Sequence, residues 1–223
     1  MPSLQRILAV SVLFFLAAPV QAAGRRNVAI VLYPGVELLD FAGPGEAFAA
    51  AGDAFRVYTV AETKQPLVSE GFLTVVPEFS IADAPAPDIL VIPGGNVGSV
   101  IRSPAMLAWV KQVTAKNEVT MSVCNGALVL AENGTLAGLK ATTHWSALGA
   151  LRAREPRATV VDDARFVDNG HIVTTAGVSA GIDGALHLVA RLLGDAEAAE
   201  VAHYMQYESD GWRSPSSRNA ARR

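Results

Sequence analysis

Val119-Thr120-Met121-Ser122-Val123-Cys124-Asn125-Gly126-Ala127-Leu128 is the stretch on which the reading of this chain turns. Its first five residues have the apolar and β-branched character of a strand buried on both faces, and residues 125–132 read as a helix. The one cysteine of the chain therefore stands at a strand-to-helix turn, with Gly126 two residues on. Such an elbow lifts the side chain out of the sheet and sets it at the amino end of a helix, where exposed backbone N–H groups favour a thiolate. A single cysteine after an apolar strand is more often a small buried hydrophobe, so the elbow acquires a functional meaning only from its surroundings.

From Asn27 onward, short apolar runs alternate with helix-length segments, the pattern of a sheet of parallel strands joined by crossover helices. Residues 28–33 form a continuous apolar run, a strand buried on both faces, and Gly43-Pro44 is expected to open a helix reaching about Ala51. Residues 56–60 read as a second strand and residues 67–76 as a hairpin around Gly71. Residues 88–92 read as a core strand that stops at Pro93-Gly94-Gly95-Asn96. Ser103 is expected to cap a helix starting at Pro104 and ending near Asn117. Further short strands are expected at residues 141–143, 159–161 and 172–175, and two helices over residues 179–193 and 195–207. The expectation is one domain over residues 24–208, followed by a flexible basic tail at 209–223.

Composition narrows the function classes. A chain of 223 residues with 51% hydrophobic and 17% charged residues is no solvated disordered chain. With 18 Lys+Arg against 21 Asp+Glu it has no general electrostatic attraction for nucleic acid. One cysteine makes neither an intramolecular disulfide nor a cysteine-based zinc site, and the histidines at 144, 171, 187 and 203 lack a ligand spacing. No metal or cofactor is therefore expected, and the partner expected is a small-molecule substrate. Residues 1–23 carry Arg6, an apolar run at 7–20 and then Gln21-Ala22-Ala23, the three parts of a secretory signal cut after Ala22 or Ala23. The run is shorter than the ~20 residues of a spanning helix. Export to a periplasm or out of the cell is expected, with no stable membrane association once the signal is removed.

Parallel sheets bind ligands at the carboxyl ends of their strands, so the loops after the first, third and cysteine-bearing strands should meet in one crevice. They carry Asp40, the Pro93-Gly94-Gly95 turn and Cys124. Asp40 stands among Leu38, Leu39 and Phe41, where a raised pKa would make it a proton donor. Gly94 and Gly95 would let backbone N–H groups approach a developing negative charge. His144 reads first as a packed, hydrogen-bonded residue and second as a group tuning the thiol.

Together, Tyr33-Pro34-Gly35-Val36, Leu39-Asp40, Gly43-Pro44-Gly45-Glu46, Ile92-Pro93-Gly94-Gly95, Ser122-Val123-Cys124-Asn125-Gly126-Ala127, Ala141-Thr142-Thr143-His144-Trp145 and the run from Thr175 through Gly177 to Asp183 resemble the ThiJ/PfpI superfamily. That superfamily belongs to the class I glutamine amidotransferase-like folds, and the likeness runs in order over nearly all of residues 27–207. Within it the chain is similar to isonitrile hydratases and to the amidotransferase-like sensor domains of AraC-type regulators. No helix-turn-helix pattern follows the core, which favours the free-standing enzyme as the comparison. The resemblance implies a flavodoxin-like α/β/α sandwich with a mainly parallel sheet and a homodimer formed near the Asp40 helix. It also implies Cys124 as nucleophile, Asp40 as its acidic partner, the N–H groups of Gly95 and Asn125 in an anion-binding position, and His144 near the thiol.

The activity implied is hydration of a small carbon–nitrogen electrophile, such as an isonitrile giving an N-substituted formamide. Two alternatives accompany it: a stress or redox-responsive protein acting on reactive aldehydes or as a chaperone, and a small-molecule binding module without catalysis. Asn125 stands where the hydratases have threonine and the PfpI-type proteases histidine, which leaves the substrate open and argues against peptidase activity. The lack of a later His-x-Glu pair argues against glutamine hydrolysis.

Overall fold

The central strand β1 (Arg26–Val31) buries every residue from Val28 onward, as the unbroken apolar run requires. In the computed structural model, which describes residues 24–214, it is followed by α1 (Leu38–Ala50) and β2 (Phe55–Ala61). The hairpin β3 (Leu67–Ser69) and β4 (Leu73–Val75) turns through Gly71 at φ 80° and leads to β5 (Phe79–Ser80) and β6 (Ile89–Ile92). Then come α2 (Gly98–Ile101) and α3 (Pro104–Thr114), the latter capped by Ser103, whose side chain accepts the Met106 N–H. The elbow comes next, with β7 (Val119–Ser122) ahead of it and α4 (Ala127–Glu132) behind. The last third holds β8 (Lys140–Ala141), α5 (Leu148–Arg154), β9 (Thr159–Val160), β10 (Phe166–Asp168), β11 (Ile172–Thr175), α6 (Ala180–Leu193) and α7 (Asp195–Tyr204).

The sheet runs β10-β11-β7-β6-β1-β2-β5, with every neighbour parallel except the antiparallel edge strand β10. Strand alternation feeds two cores. Val28, Ile30, Val91 and Met121 face α1, α6 and α7, where Phe48, Leu186 and Val201 meet them. Ala29, Val31, Leu90 and Ile92 face the other layer, with Val110, Leu130 and Leu151. The result is the expected flavodoxin-like α/β/α sandwich.

Four local expectations need correction. The helix expected from Gly43 starts at Leu38 and runs through Pro44. Gly43 and Pro44 mark a helix contact instead of a helix start: a methyl on Gly43 would lie 2.8 Å from Ile182 Cγ1, and one on Gly181 would lie 3.3 Å from Pro44 Cγ. These small residues let α1 and α6 approach closely. The short strands near 141 and 159 pair only with each other, outside the main sheet. The final helix ends at Tyr204, where Gln206 takes a φ of 51°. The packed domain also continues past residue 208, because Trp212 is 2% exposed and lies in the core beside α6. The expected signal at 1–23 lies outside the described residues, as do residues 215–223. Among the described residues no helix is long and apolar enough to cross a membrane.

Candidate active site

The strands β1, β6 and β7 are adjacent and parallel, so the segments that leave their carboxyl ends emerge side by side. This brings Asp40, Gly94, Gly95, Cys124 and Asn125 together as the sequence implies: a methyl on Gly94 would lie 2.8 Å from Asp40 Oδ2, 2.8 Å from Cys124 Cβ and 2.3 Å from Asn125 Oδ1. Asp40 reaches the crevice from the first turn of α1 instead of from a loop.

Cys124 has a φ of 56°, a left-handed conformation that costs a residue with a side chain about 1–3 kcal/mol. Its neighbours impose that conformation. Val123 N–H donates to Ile92 O at 3.0 Å, Cys124 N–H donates to Ala176 O at 3.0 Å, and the Thr143 hydroxyl donates to the Cys124 carbonyl at 2.6 Å. Gly126 is required just beyond, since a Cβ there would stand 2.2 Å from Ile92 O. The elbow is thus pinned to both adjacent strands, and the thiol is held at 8% exposure.

Asp40 is fully buried. Its Oδ2 accepts the Gly94 N–H at 2.8 Å, and its Oδ1 has no hydrogen-bond partner among the described residues. Burial pushes the Asp40 pKa from 3.8 up to about 7, outweighing the Gly94 N–H and the interaction with the Cys124 thiol, both of which favour the carboxylate. Burial, reinforced by the Asp40 charge, also raises the Cys124 thiol to about 12, while the backbone N–H groups of Asn125 and Val178 pull it down. Burial thus opposes the thiolate that the elbow favours. The cysteine leads into one tight 3-10 turn and the six-residue α4, too little helix to offset desolvation.

The glycine N–H groups are not open donors. Gly94 N–H is held by Asp40, and Gly95 N–H donates to Asn125 Oδ1 at 2.8 Å, while Asn125 Nδ2 donates back to Gly95 O at 2.9 Å. Asn125 thus closes the Gly95 half of the expected anion-binding position with a reciprocal amide pair. Gly95 itself has a φ of 110° and no room for a Cβ, which would stand 2.3 Å from Gly35 O.

His144 sits at the rim. Its Nδ1 lies 2.7 Å from Ser146 Oγ, and its ring fills the space where a Gly177 Cβ would be. It therefore presses on the loop that presents the Val178 N–H to the sulfur. Trp145 beside it is 68% exposed.

Sequence reasoning missed three participants. Val178, at φ 49°, supplies a second N–H to the thiol, and its signal is the Gly177-Val178 step just after β11. The Tyr33 hydroxyl lies 2.6 Å from Pro93 O and 2.7 Å from Gly94 O, anchoring the turn that holds Asp40. Burial and the nearby Asp40 and Cys124 charges raise its pKa well above the usual 10.0. A phenol ending an otherwise aliphatic strand was its signal. Glu37, whose pKa burial and a hydrogen bond to Glu70 raise, adds negative charge that raises Asp40 further. Among the described residues no group of three or more His, Cys, Asp or Glu is placed to hold a metal.

A cysteine elbow on a parallel sheet, faced by a buried carboxyl group and a Gly-Gly turn, is matched by a known family over residues 26–191. The chain belongs to the DJ-1/PfpI family. It is 32% identical over 188 residues to the isonitrile hydratase of Pseudomonas putida, covering 81% of this chain and 78% of that protein. It is 27% identical to the Parkinson disease protein 7 homolog of Danio rerio, over 80% of this chain and 95% of that one. A solved ThiJ/PfpI family protein from Pseudomonas syringae superposes with a TM-score of 0.76 at 31% identity, covering 84% of this chain and 77% of that one. Against the HTH-type transcriptional regulator CdhR of Pseudomonas aeruginosa the identity is 28%, over 77% of this chain and 52% of the regulator, so that match spans only about half of the longer protein. The family thus includes an enzyme and regulators.

Proposed function

We propose that this DJ-1/PfpI family member is a cysteine-dependent hydratase of a small carbon–nitrogen electrophile, most concretely an isonitrile converted to an N-substituted formamide. The observation that carries the reading is Asp40 Oδ1, a buried carboxyl oxygen with no hydrogen-bond partner on a group whose other oxygen is tied down by Gly94 N–H. A buried polar atom without a partner is costly, and here it stands beside the thiol with a pKa near neutrality. Asp40 takes the thiol proton as the sulfur attacks the isonitrile carbon, then delivers it to that carbon, giving a thioimidate. Water adds to the thioimidate carbon, the carbon–sulfur bond breaks, and a proton returns to sulfur as the formamide leaves. The 32% identity to a protein named isonitrile hydratase supports the same chemistry.

The test is formamide formation from a simple alkyl isonitrile by the chain without residues 1–23. Cys124→Ala should abolish turnover, and Asp40→Asn should reduce it by about 100-fold or more. Normal turnover by either variant would refute the mechanism. Ligand binding without turnover is the second reading, favoured by the closure of Gly95 N–H by Asn125; it predicts no product and equal ligand binding by the native chain and Cys124→Ala. The redox reading requires an easily ionised thiol, which burial of Cys124 opposes.

Two accompanying proposals concern the cell. Residues 1–23 act as a cleaved signal, checked by the amino-terminal sequence of the exported product. The chain is a homodimer, its partner covering Leu39 of α1 and Val68, Phe72 and Val76 of the β3–β4 region, apolar side chains that are exposed in the single chain. Light scattering at twice the chain mass is the expected outcome.

A further inference from the structure

A second cavity opens at the carboxyl ends of β1 and β2, with a volume of about 220 Å³. Leu32, Tyr33, Leu67 and Met106 form its walls, each less than one-tenth exposed, and the exposed segment with Glu62, Thr63, Gln65 and Pro66 borders its mouth. A cavity of ~150 Å³ lined by aliphatic and aromatic side chains is enough to hold benzene. This one exceeds that by the volume of a short substituent. Its rim is polar, and the one charged group there is Glu62. That carboxylate makes no hydrogen bond or ion pair among the described residues, whereas the neighbouring Lys64 is paired with Asp83. No Lys, Arg or His lines the cavity.

We propose that this cavity is a second binding site, for a small primary amine whose ring or short alkyl body enters the apolar well while its ammonium group pairs with Glu62. An apolar well with one unpaired negative charge at its mouth rejects anions and gives a neutral ligand only the burial of its apolar part. The cationic ligand gains both contributions. Tyr33 forms one wall of the cavity and anchors the Pro93-Gly94 carbonyls with its hydroxyl, so occupancy is one side chain away from the turn that holds Asp40. The assignment stands apart from the isonitrile reading, because neither Cys124 nor Asp40 lines this cavity.

The experiment is a titration of the chain with benzylamine, followed by calorimetry and by backbone amide NMR, with benzyl alcohol and phenylacetate as controls. Saturable one-site binding at about 1 mM or tighter is expected, together with shifts of the Gly94 and Gly95 amide signals. Glu62→Gln, an exposed change that leaves the fold intact, should weaken benzylamine about threefold to fivefold and leave benzyl alcohol unchanged. Ser99→Phe, which fills the cavity from its edge, should remove binding of both, and Cys124→Ala should alter neither. The proposal is overturned by benzylamine that fails to saturate below about 20 mM, by equal affinity for phenylacetate, by an unchanged affinity in Glu62→Gln, or by loss of binding in Cys124→Ala, which would move the ligand to the thiol.

Discussion

Replacing Asp40 by Asn should make this protein more stable and less active. The carboxyl group is fully buried, and its pKa rises from 3.8 to about 7 on folding. For an acid with a raised folded pKa, the cost of ionisation is absent below pH 3.8, grows as pH rises to about 7, and is complete above that value. A rise of that size corresponds to ~4 kcal/mol carried by the folded state at pH 8. Asparagine keeps an oxygen acceptor for the Gly94 N–H and carries no charge. Local relaxation and water entry reduce the gain, so Asp40→Asn is expected to stabilise the chain by about 2–4 kcal/mol at pH 8, with a Tm higher by ~5 °C or more. At pH 4 the two proteins should unfold within about 1 kcal/mol of each other. Urea denaturation at the two pH values measures both quantities. A variant equally stable or less stable than the native chain at pH 8 would show that Asp40 is not ionised against a desolvation cost, and the proton-shuttle argument would lose its basis.

Other consequences are as direct. With the Cys124 thiol raised to about 12, alkylation by iodoacetamide should accelerate nearly tenfold per pH unit from pH 7 to 10, and a plateau below pH 8 would mean that the thiolate is the resting form. Gly94→Ala places a methyl 2.3 Å from Asn125 Oδ1 and 2.8 Å from Cys124 Cβ, so turnover should fall about 100-fold or more while far-UV circular dichroism is retained. Trp212→Ala empties a fully packed position beside α6 and should cost about 3–5 kcal/mol in urea denaturation; an unchanged midpoint would show that the segment after residue 208 adds nothing to the core.

The sheet was legible wherever burial leaves one solution. The runs at 28–33 and 89–92 are unbroken apolar stretches, and 119–123 sets only Thr120 and Ser122 among Val and Met, which suits strands covered on both faces. The elbow was legible because a cysteine between such a strand and Gly126 has few alternatives. The α1 boundary was not, because Gly43-Pro44 carries the signature of a helix start while its actual use, close contact with α6, depends on residues about 140 positions away. The same holds for Trp212, whose partners lie across the core, while the polar residues around it resemble a tail. At the site the residue set was readable, and the protonation states were not. A helix end suggested a thiolate, and only the depth of burial decides that desolvation prevails. The Asn125–Gly95 amide pair was equally hidden, since a side chain that closes a neighbour's N–H looks in sequence like any other asparagine.

The chemistry rests on β1, β6 and β7 in the middle of the seven-stranded sheet, whereas the β3–β4 hairpin and the β8–β9 pair each belong to a separate two-stranded sheet. Changes at the outer turns of those two appendages leave the main-sheet register that sets Cys124 against Asp40 intact. Descendants of one ancestral chain are thereby free to diversify in what they admit while inheriting the same reacting pair. Directed evolution toward a new substrate would accordingly start with libraries in residues 71–75 and 145–160, which spare Thr143 and its hydrogen bond to the elbow.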